Sequence, residues 1–205
     1  MLCRDWWYIL LGYVSGSILF ARLFGFLFRR KDITLESKDH NPGTANAFQY
    51  GGFWCGLLTL CGDLCKGFFP VYGYLNGRGF DARDIALAFV LVAPVLGHVF
   101  PIYAPRKGGK GIAVTFGCLL GLLPEAQPVC TLACMFILLS LVVKVSPHYY
   151  RTLAAYVLSA IILPFAVHNT AIVIGFLMIC VLVTAKLLLS TEEKEPFQVR
   201  AVWKH

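Results

Sequence analysis

Apolar residues come in long runs along this chain, and shorter polar segments separate them. A run of about twenty apolar residues is long enough to cross the hydrocarbon core of a bilayer as a helix. The pattern predicts about seven spans, over residues 6–28, 50–75, 84–103, 111–123, 128–145, 152–167 and 170–189. We therefore expect an all-α polytopic membrane protein in which residues 1–205 form a single domain.

Composition agrees with a membrane protein and limits the partners. Hydrophobic residues make up 58% of the chain and charged residues 14%. The formal net charge of +7 raises nucleic acid as a partner, but the cations cluster at the ends of apolar runs. That placement favours lipid headgroups over nucleic acid. Most of the eight cysteines lie in apolar runs without the paired spacing of metal ligands, so we expect no metal site.

The distribution of Lys and Arg predicts the orientation of the spans. Seven spans place loops 29–49, 104–110 and 144–151 on the same side as the C-terminal tail. Counting Lys186 with the tail, that side carries thirteen Lys and Arg, and the other side carries three. Cytoplasmic loops hold the excess of cations, so the N-terminus is predicted outside and the C-terminus in the cytoplasm.

The most distinctive polar interruption extends from Gly97 to Gly111, and the next apolar run starts at Ile112. Glycines let backbone N–H groups approach an anion, and a following helix N-terminus adds the positive end of its dipole. The alternative is an ordinary basic loop that anchors topology. The spacing favours a phosphate site, formed by Lys107, Gly108, Gly109, Lys110 and Gly111.

A second polar loop follows the first span and is either a solvated connector or a binding loop. It contains an Asn-Pro-Gly turn and a high density of hydrogen-bonding groups. Its candidate residues are Asp39, His40, Asn41, Thr44 and Asn46. The predicted orientation puts this loop on the same side as the glycine-rich segment, so we expect the two loops to share one site.

Three ionisable residues within the predicted spans are candidate site residues. Asp63 and Lys66 lie three residues apart and therefore share a helix face. Ionisable groups inside a membrane usually mark a site, although an ion pair that braces the bundle is the alternative. His98 is either a buried core residue or part of the site formed by the segment that follows it.

These motifs resemble those of the bacterial acyl-phosphate-dependent glycerol-3-phosphate acyltransferase family, between Gly12 and about Thr115. The chain shows similarity at three places. They are Gly16-Ser17-Ile18 with Phe20, Asp63-x-x-Lys66-Gly67, and Gly97-His98-x-x-Pro101 followed by Lys107-Gly108-Gly109-Lys110-Gly111.

The chain departs from the family pattern in the first loop and after the last span. Asp39 and Gln49 stand where the family has Ser and Arg, and residues 185–191 contain no His or Asn. A carboxylate repels a dianionic acceptor unless it is protonated or paired. We therefore hypothesise a conserved donor half and an altered acceptor half, with Asp39 acting as a base or pairing with a cationic acceptor.

The resemblance implies a multi-pass plasma-membrane enzyme of phospholipid synthesis with a cytoplasmic active face and no cofactor. It would transfer a fatty acyl group from acyl phosphate to glycerol 3-phosphate or a related acceptor. Its partners would be these substrates, membrane lipids and an enzyme that forms acyl phosphate. The alternative is a catalytically altered relative that binds lipids or anions, or a transporter. The expected catalytic residues are Asp39, His40, Asn41, Asn46, Asp63, Lys66 and His98, and Thr44 joins the glycine-rich segment in binding phosphate.

Overall fold

The computed structural model describes residues 3–29, 31–37, 39–76, 84–190 and 196–201. Most of the connection predicted between the second and third spans therefore lies outside the described residues. A helix occupies each of the seven predicted spans. The described α-helices are α1 (Cys3–Gly16), α2 (Phe20–Arg29), α3 (Thr44–Asn46), α4 (Phe53–Leu75), α5 (Ile85–Val99), α6 (Ile112–Leu120), α7 (Gln127–Ile137), α8 (His148–Ala166) and α9 (Thr170–Leu188).

The predicted first span consists of two helices with a short break between them. The chain leaves helical geometry between α1 and α2, at Ser17, Ile18 and Leu19. Backbone groups in lipid need internal hydrogen-bond partners, and distant residues supply them here. The Ile18 carbonyl accepts from Lys66 Nζ at 2.6 Å, and the Leu19 N–H donates to the Tyr103 hydroxyl at 3.3 Å. Tertiary contacts therefore stabilise a break that begins just after Gly16.

A short antiparallel sheet is the second departure from the all-α prediction. Strand β1 (Val143–Ser146) pairs with β2 (Gln198–Ala201), so that Ser146 lies opposite Gln198. A π-helical turn, Leu138–Val142, leads from α7 into β1. The helix of the fifth predicted span, α7, therefore ends earlier than the predicted Val145. The hydrogen-bond partner of this strand lies far along the chain, and the local apolar pattern could not reveal it.

Three described helical segments are long and apolar enough to cross a membrane. They are Cys3–Arg29, which includes the break, His148–Ala166 and Thr170–Leu188. Helix α4 has 23 residues but carries Asp63 and Lys66 in its middle. Helix α6 has nine residues and spans only about 13 Å at 1.5 Å per residue. It is therefore far shorter than the hydrocarbon core of about 30 Å.

Close backbone contacts hold α6 against α4, the helix that carries Asp63 and Lys66. A Cβ on Gly67 of α4 would come within 2.4 Å of the Val114 carbonyl oxygen of α6. A Cβ on Gly117 of α6 would meet the Leu64 carbonyl oxygen of α4 at 2.2 Å. Small residues let helix backbones approach closely in membranes. This approach holds the start of α6 against the helix that carries Asp63 and Lys66.

Candidate active site

A cavity of about 1030 Å³ lies where α5 ends and where α6 and α8 begin. Four segments form its walls: the polar loop after α2, the middle of α4, the glycine-rich segment and the first turn of α8. The predicted site residues that line it are Asp39, Asn41, Thr44, Asn46, Asp63, His98, Lys110 and Gly111.

The two predicted site loops meet at this cavity, which confirms that they lie close together. Lys110 Nζ donates to the Asp39 carboxylate at 2.9 Å, and the Lys110 N–H donates to Asn41 Oδ1 at 3.1 Å. Asn46 Nδ2 donates to Asp39 Oδ1 at 2.7 Å and to the Asn41 carbonyl at 2.8 Å. Side chains of the loop after α2 therefore bond both the side chain and the backbone N–H of Lys110 in the glycine-rich segment.

Asp39 is held as a carboxylate. Burial by itself would raise its pKa, but the hydrogen bond from Asn46, and then the hydrogen bond and positive charge of Lys110, outweigh burial. The pKa of Asp39 therefore lies below its ordinary value. Among the described lining residues, Lys110 is the one Lys or Arg, and its ammonium is paired with Asp39. The cavity wall is accordingly less cationic than the glycine-rich sequence suggests.

The glycine-rich segment folds back onto the end of α5. The Gly109 N–H donates to the His98 carbonyl at 3.0 Å, and a Cβ on Gly108 would meet the Val99 carbonyl at 2.0 Å. Gly111, the residue just before α6, has a φ of 81°. This is a left-handed conformation, which glycine adopts without strain. The N–H of Gly109 is thus bonded within the protein. The residues at the start of α6 line the cavity instead.

Two predicted residues of the loops, Lys107 and His40, have side chains that do not line the cavity. Lys107 is exposed outside it. His40 has a φ of 48°, and its Nδ1 lies 3.0 Å from the Thr34 carbonyl oxygen. Thr44 does line the cavity, and its buried hydroxyl has no hydrogen-bond partner among the described residues. A ligand with an acceptor oxygen would satisfy it.

Asp63, Lys66 and His98 form one buried cluster beneath the cavity. Lys66 Nζ lies 2.8 Å from Asp63 Oδ1 and 2.8 Å from His98 Nδ1, and it also bonds Ile18. Each side chain is at most 3% exposed. Asp63 and His98 reach the cavity wall, whereas Lys66 does not. The spacing of Asp63 and Lys66 predicted this pair, but it did not predict that Lys66 also reaches His98.

His148 lines the cavity and was missed by the sequence analysis. It begins α8 next to Pro147, and its Nδ1 lies 3.3 Å from an Arg151 nitrogen. The predicted placement of loop 144–151 on the same side as the glycine-rich segment was the one available signal. That signal identified a loop but no particular residue.

The apolar helices and the cavity at their ends define the class: a helical membrane protein with one cavity lined by most of the candidate residues. Residues 6–191 match the family model described as glycerol-3-phosphate acyltransferase, and the chain belongs to this family. A glycerol-3-phosphate acyltransferase of Actinobacillus pleuropneumoniae serotype 5b is 35% identical over 158 residues, which are 76% of this chain and 71% of the relative. One from Pasteurella multocida is 42% identical over 111 residues, 54% of this chain and 51% of the relative.

Solved structures share the fold. The crystal structure of PlsY (YgiH), an integral membrane glycerol 3-phosphate acyltransferase in its glycerol 3-phosphate form, superimposes with a TM-score of 0.76. The match has 21% sequence identity and covers 94% of this chain and 96% of that one. The lysophosphatidic acid form of the same protein gives a TM-score of 0.73 at 22% identity. The two structures therefore establish a common architecture over nearly the whole chain.

Proposed function

We propose that this protein transfers a fatty acyl group from acyl phosphate to the hydroxyl of glycerol 3-phosphate or a related acceptor. The observation that carries the proposal is the Asp39–Lys110 contact, which brings the two candidate loops to one cavity. Family membership and the glycerol 3-phosphate form of the related structure support the choice of substrates.

The reaction suits a site without a covalent nucleophile. The acceptor hydroxyl attacks the acyl carbonyl carbon, a C–O ester bond forms, and the C–O bond to phosphate breaks. The products are the ester and inorganic phosphate, which carries away the hydroxyl proton. The site must stabilise phosphate and carbonyl oxygens and must position the two reactants. Lys110, the start of α6 and Thr44 line the cavity and would supply the donors.

Within this proposal, the residues divide between the two substrates. Lys110, Gly111 and Thr44 would bind a phosphate group, and Asp39, Asn41 and Asn46 would contact the acceptor. Gly108 and Gly109 would act by bringing the loop against α5. Lys107 and His40 stay predicted site residues whose side chains lie away from the cavity wall.

We further propose that residues 1–205 form one domain with seven spans in the plasma membrane. Supporting this, helices coincide with all seven apolar runs, and the cation-rich loops share one predicted side. The cavity would then open to the cytoplasm, where soluble glycerol 3-phosphate and an acyl-phosphate-forming partner enzyme can reach it. Reporter fusions at both termini test the orientation: a cytoplasmic N-terminus would contradict it.

The direct test is turnover by the purified protein in detergent or vesicles. We expect lysophosphatidate and stoichiometric phosphate from acyl phosphate and glycerol 3-phosphate. Uncharged and aminated acceptors belong in the same assay, since Asp39 and Gln49 line the cavity. Faster use of one of these would assign an altered acceptor, whereas no phosphate release with any acceptor would favour lipid binding or transport.

A further inference from the structure

The ammonium of Lys66 is surrounded by three acceptors from three parts of the chain. Its Nζ lies 2.6 Å from the Ile18 carbonyl, 2.8 Å from Asp63 Oδ1 and 2.8 Å from His98 Nδ1. The ring of Phe20 lies 5.5 Å from the same nitrogen, which adds a further favourable contact for a cation. An ammonium has N–H donors and no acceptor, so each of the three groups around it must present a lone pair or a negative charge.

This arrangement determines the tautomer of His98. His98 Nδ1 faces the Lys66 ammonium, which can only donate hydrogen bonds. Nδ1 must therefore accept, through its lone pair. In a neutral imidazole the proton then resides on Nε2. Lys66 itself is held by Asp63 on the preceding turn of α4.

Nε2 is the ring nitrogen of His98 that is left for a ligand, because Nδ1 is turned towards Lys66. A Cβ on Gly109 would come within 2.1 Å of Nε2, so only glycine leaves room next to this atom. His98 lines the cavity, and its side chain is 3% exposed. The Nε2–H group is thus a donor in a site largely shielded from water, where a hydrogen bond to an anionic oxygen is stronger than in solvent.

We propose that His98 donates a hydrogen bond through Nε2 to an anionic oxygen of the substrate, a phosphate or a developing carbonyl oxyanion, and does not act as a base. Asp63 and Lys66 are positioning residues that fix its tautomer. The substrate half of this proposal rests on the proposed function. The tautomer itself does not, because it follows from contacts within the protein.

The same contacts prevent His98 from acting as a general base. A general base needs a lone pair directed at the proton that it removes. The lone pair of Nδ1 is directed at Lys66, and Nε2 already carries a proton. His98 therefore contributes a fixed N–H dipole that needs no reorganisation when charge develops on the substrate.

Nitrogen-15 NMR of the full-length protein labelled at histidine tests the tautomer without any turnover. The chain has five histidines, and loss of a signal in His98→Gln assigns that residue. We expect the Nδ1 shift of an unprotonated nitrogen and the Nε2 shift of a protonated one near neutral pH. Protonated Nδ1 would overturn the proposal. Added inorganic phosphate should move the Nε2–H signal, and an unmoved signal would overturn the donor role.

Two variants then separate a donor from a structural residue. His98→Gln can place an amide N–H near the Nε2 position but loses the acceptor for Lys66. His98→Asn keeps an acceptor for Lys66 but has no donor at the Nε2 position. We expect His98→Gln to retain kcat within about tenfold and His98→Asn to lose about 100-fold, the usual effect of removing one such donor.

The opposite order of the two variants would assign His98 a structural role and overturn the proposal. Absence of turnover in the unmodified protein would instead contradict the proposed function. In that case the tautomer and the phosphate-dependent shift would still decide the donor role, so the two failures are distinguishable.

Discussion

The Lys110 ammonium donates a hydrogen bond to the Asp39 carboxylate over 2.9 Å, and this contact joins residues 71 positions apart. Both side chains are largely buried, at 10% and 16% exposure. The positive charge that a phosphate would approach is therefore already shared with a carboxylate of the protein. A chain with serine at the position of Asp39, as in the family pattern, would lack this carboxylate. Its lysine would then be more available to bind a phosphate.

Replacing Asp39 with serine should strengthen binding of a dianionic acceptor. Removing the competing carboxylate is worth about 1 kcal/mol at a partly screened site, so KM for glycerol 3-phosphate should fall about fivefold. Initial rates at fixed acyl phosphate measure this effect. Asp39→Asn, which removes the charge but keeps the size, is the matched control and should change KM in the same direction. An unchanged or higher KM in both variants would show that Asp39 does not compete for Lys110.

The contribution of Asp39 to stability should be independent of pH near neutrality. Its pKa is lowered, so the ionised form stabilises the folded protein. That contribution is complete above the ordinary aspartate pKa of about 3.9 and is lost as the pH falls through the lowered value. The difference in Tm between the unmodified protein and Asp39→Asn should stay constant from about pH 8 to 5 and shrink only below about pH 4. A difference that already shrinks near pH 6 would contradict a lowered pKa.

Lys110 and Lys107 should differ strongly in their effect on activity. Lys110 lines the cavity and is buried, whereas Lys107 is exposed. Loss of a charged donor inside the site costs about 100-fold in kcat/KM, and loss of a solvent-screened cation costs less than about tenfold. Alanine variants of each, assayed side by side, measure this difference. Equal losses would indicate that the glycine-rich segment rearranges when substrate binds.

Gly109→Ala should inactivate the protein through a clash with His98. The new Cβ would lie 2.1 Å from His98 Nε2, far inside van der Waals contact. Either the loop or the imidazole must move, so we expect a loss of at least about 100-fold in kcat and a destabilisation of about 1–3 kcal/mol. Gly73→Ala is the control, since its Cβ would meet the movable ring edge of Tyr8 at 3.1 Å. Full activity of Gly109→Ala would refute this packing.

The Asp63–Lys66 pair should show strong coupling in a double-mutant cycle. Removing one partner leaves a buried charge unpaired, which costs about 3–5 kcal/mol. Lys66→Met also removes the donor from the Ile18 carbonyl at the helix break. Denaturant unfolding in detergent should show that Lys66→Met combined with Asp63→Asn destabilises by less than the sum of the single variants. Additive effects would mean that the two residues act independently.

The sequence predicted much of the site because its signals are local. The motif of Gly97 to Gly111, the polar loop with Asp39, and the Asp63–Lys66 spacing all lie in short segments. The cation distribution then placed both loops on one side. The observed Asp39–Lys110 contact confirms that they meet.

The remaining features depend on partners distant in sequence. His148 reaches the cavity only because α8 begins beside the glycine-rich segment. The assignment of donor and acceptor at His98 requires Lys66, 32 residues away. Exposure of Lys107 outside the cavity likewise follows from how the loop folds onto α5, which its composition does not reveal.

By itself the sequence determined where the helices lie and which loops come together, because run length and charge are properties of neighbouring residues in a bilayer. Tertiary structure alone decided where the first span breaks, where α7 ends and which residues line the cavity. Those outcomes depend on which backbone groups and side chains satisfy one another across the bundle. Hydrogen-bonding capacity buried in lipid must find a partner, and the identity of that partner is known only once the helices are packed.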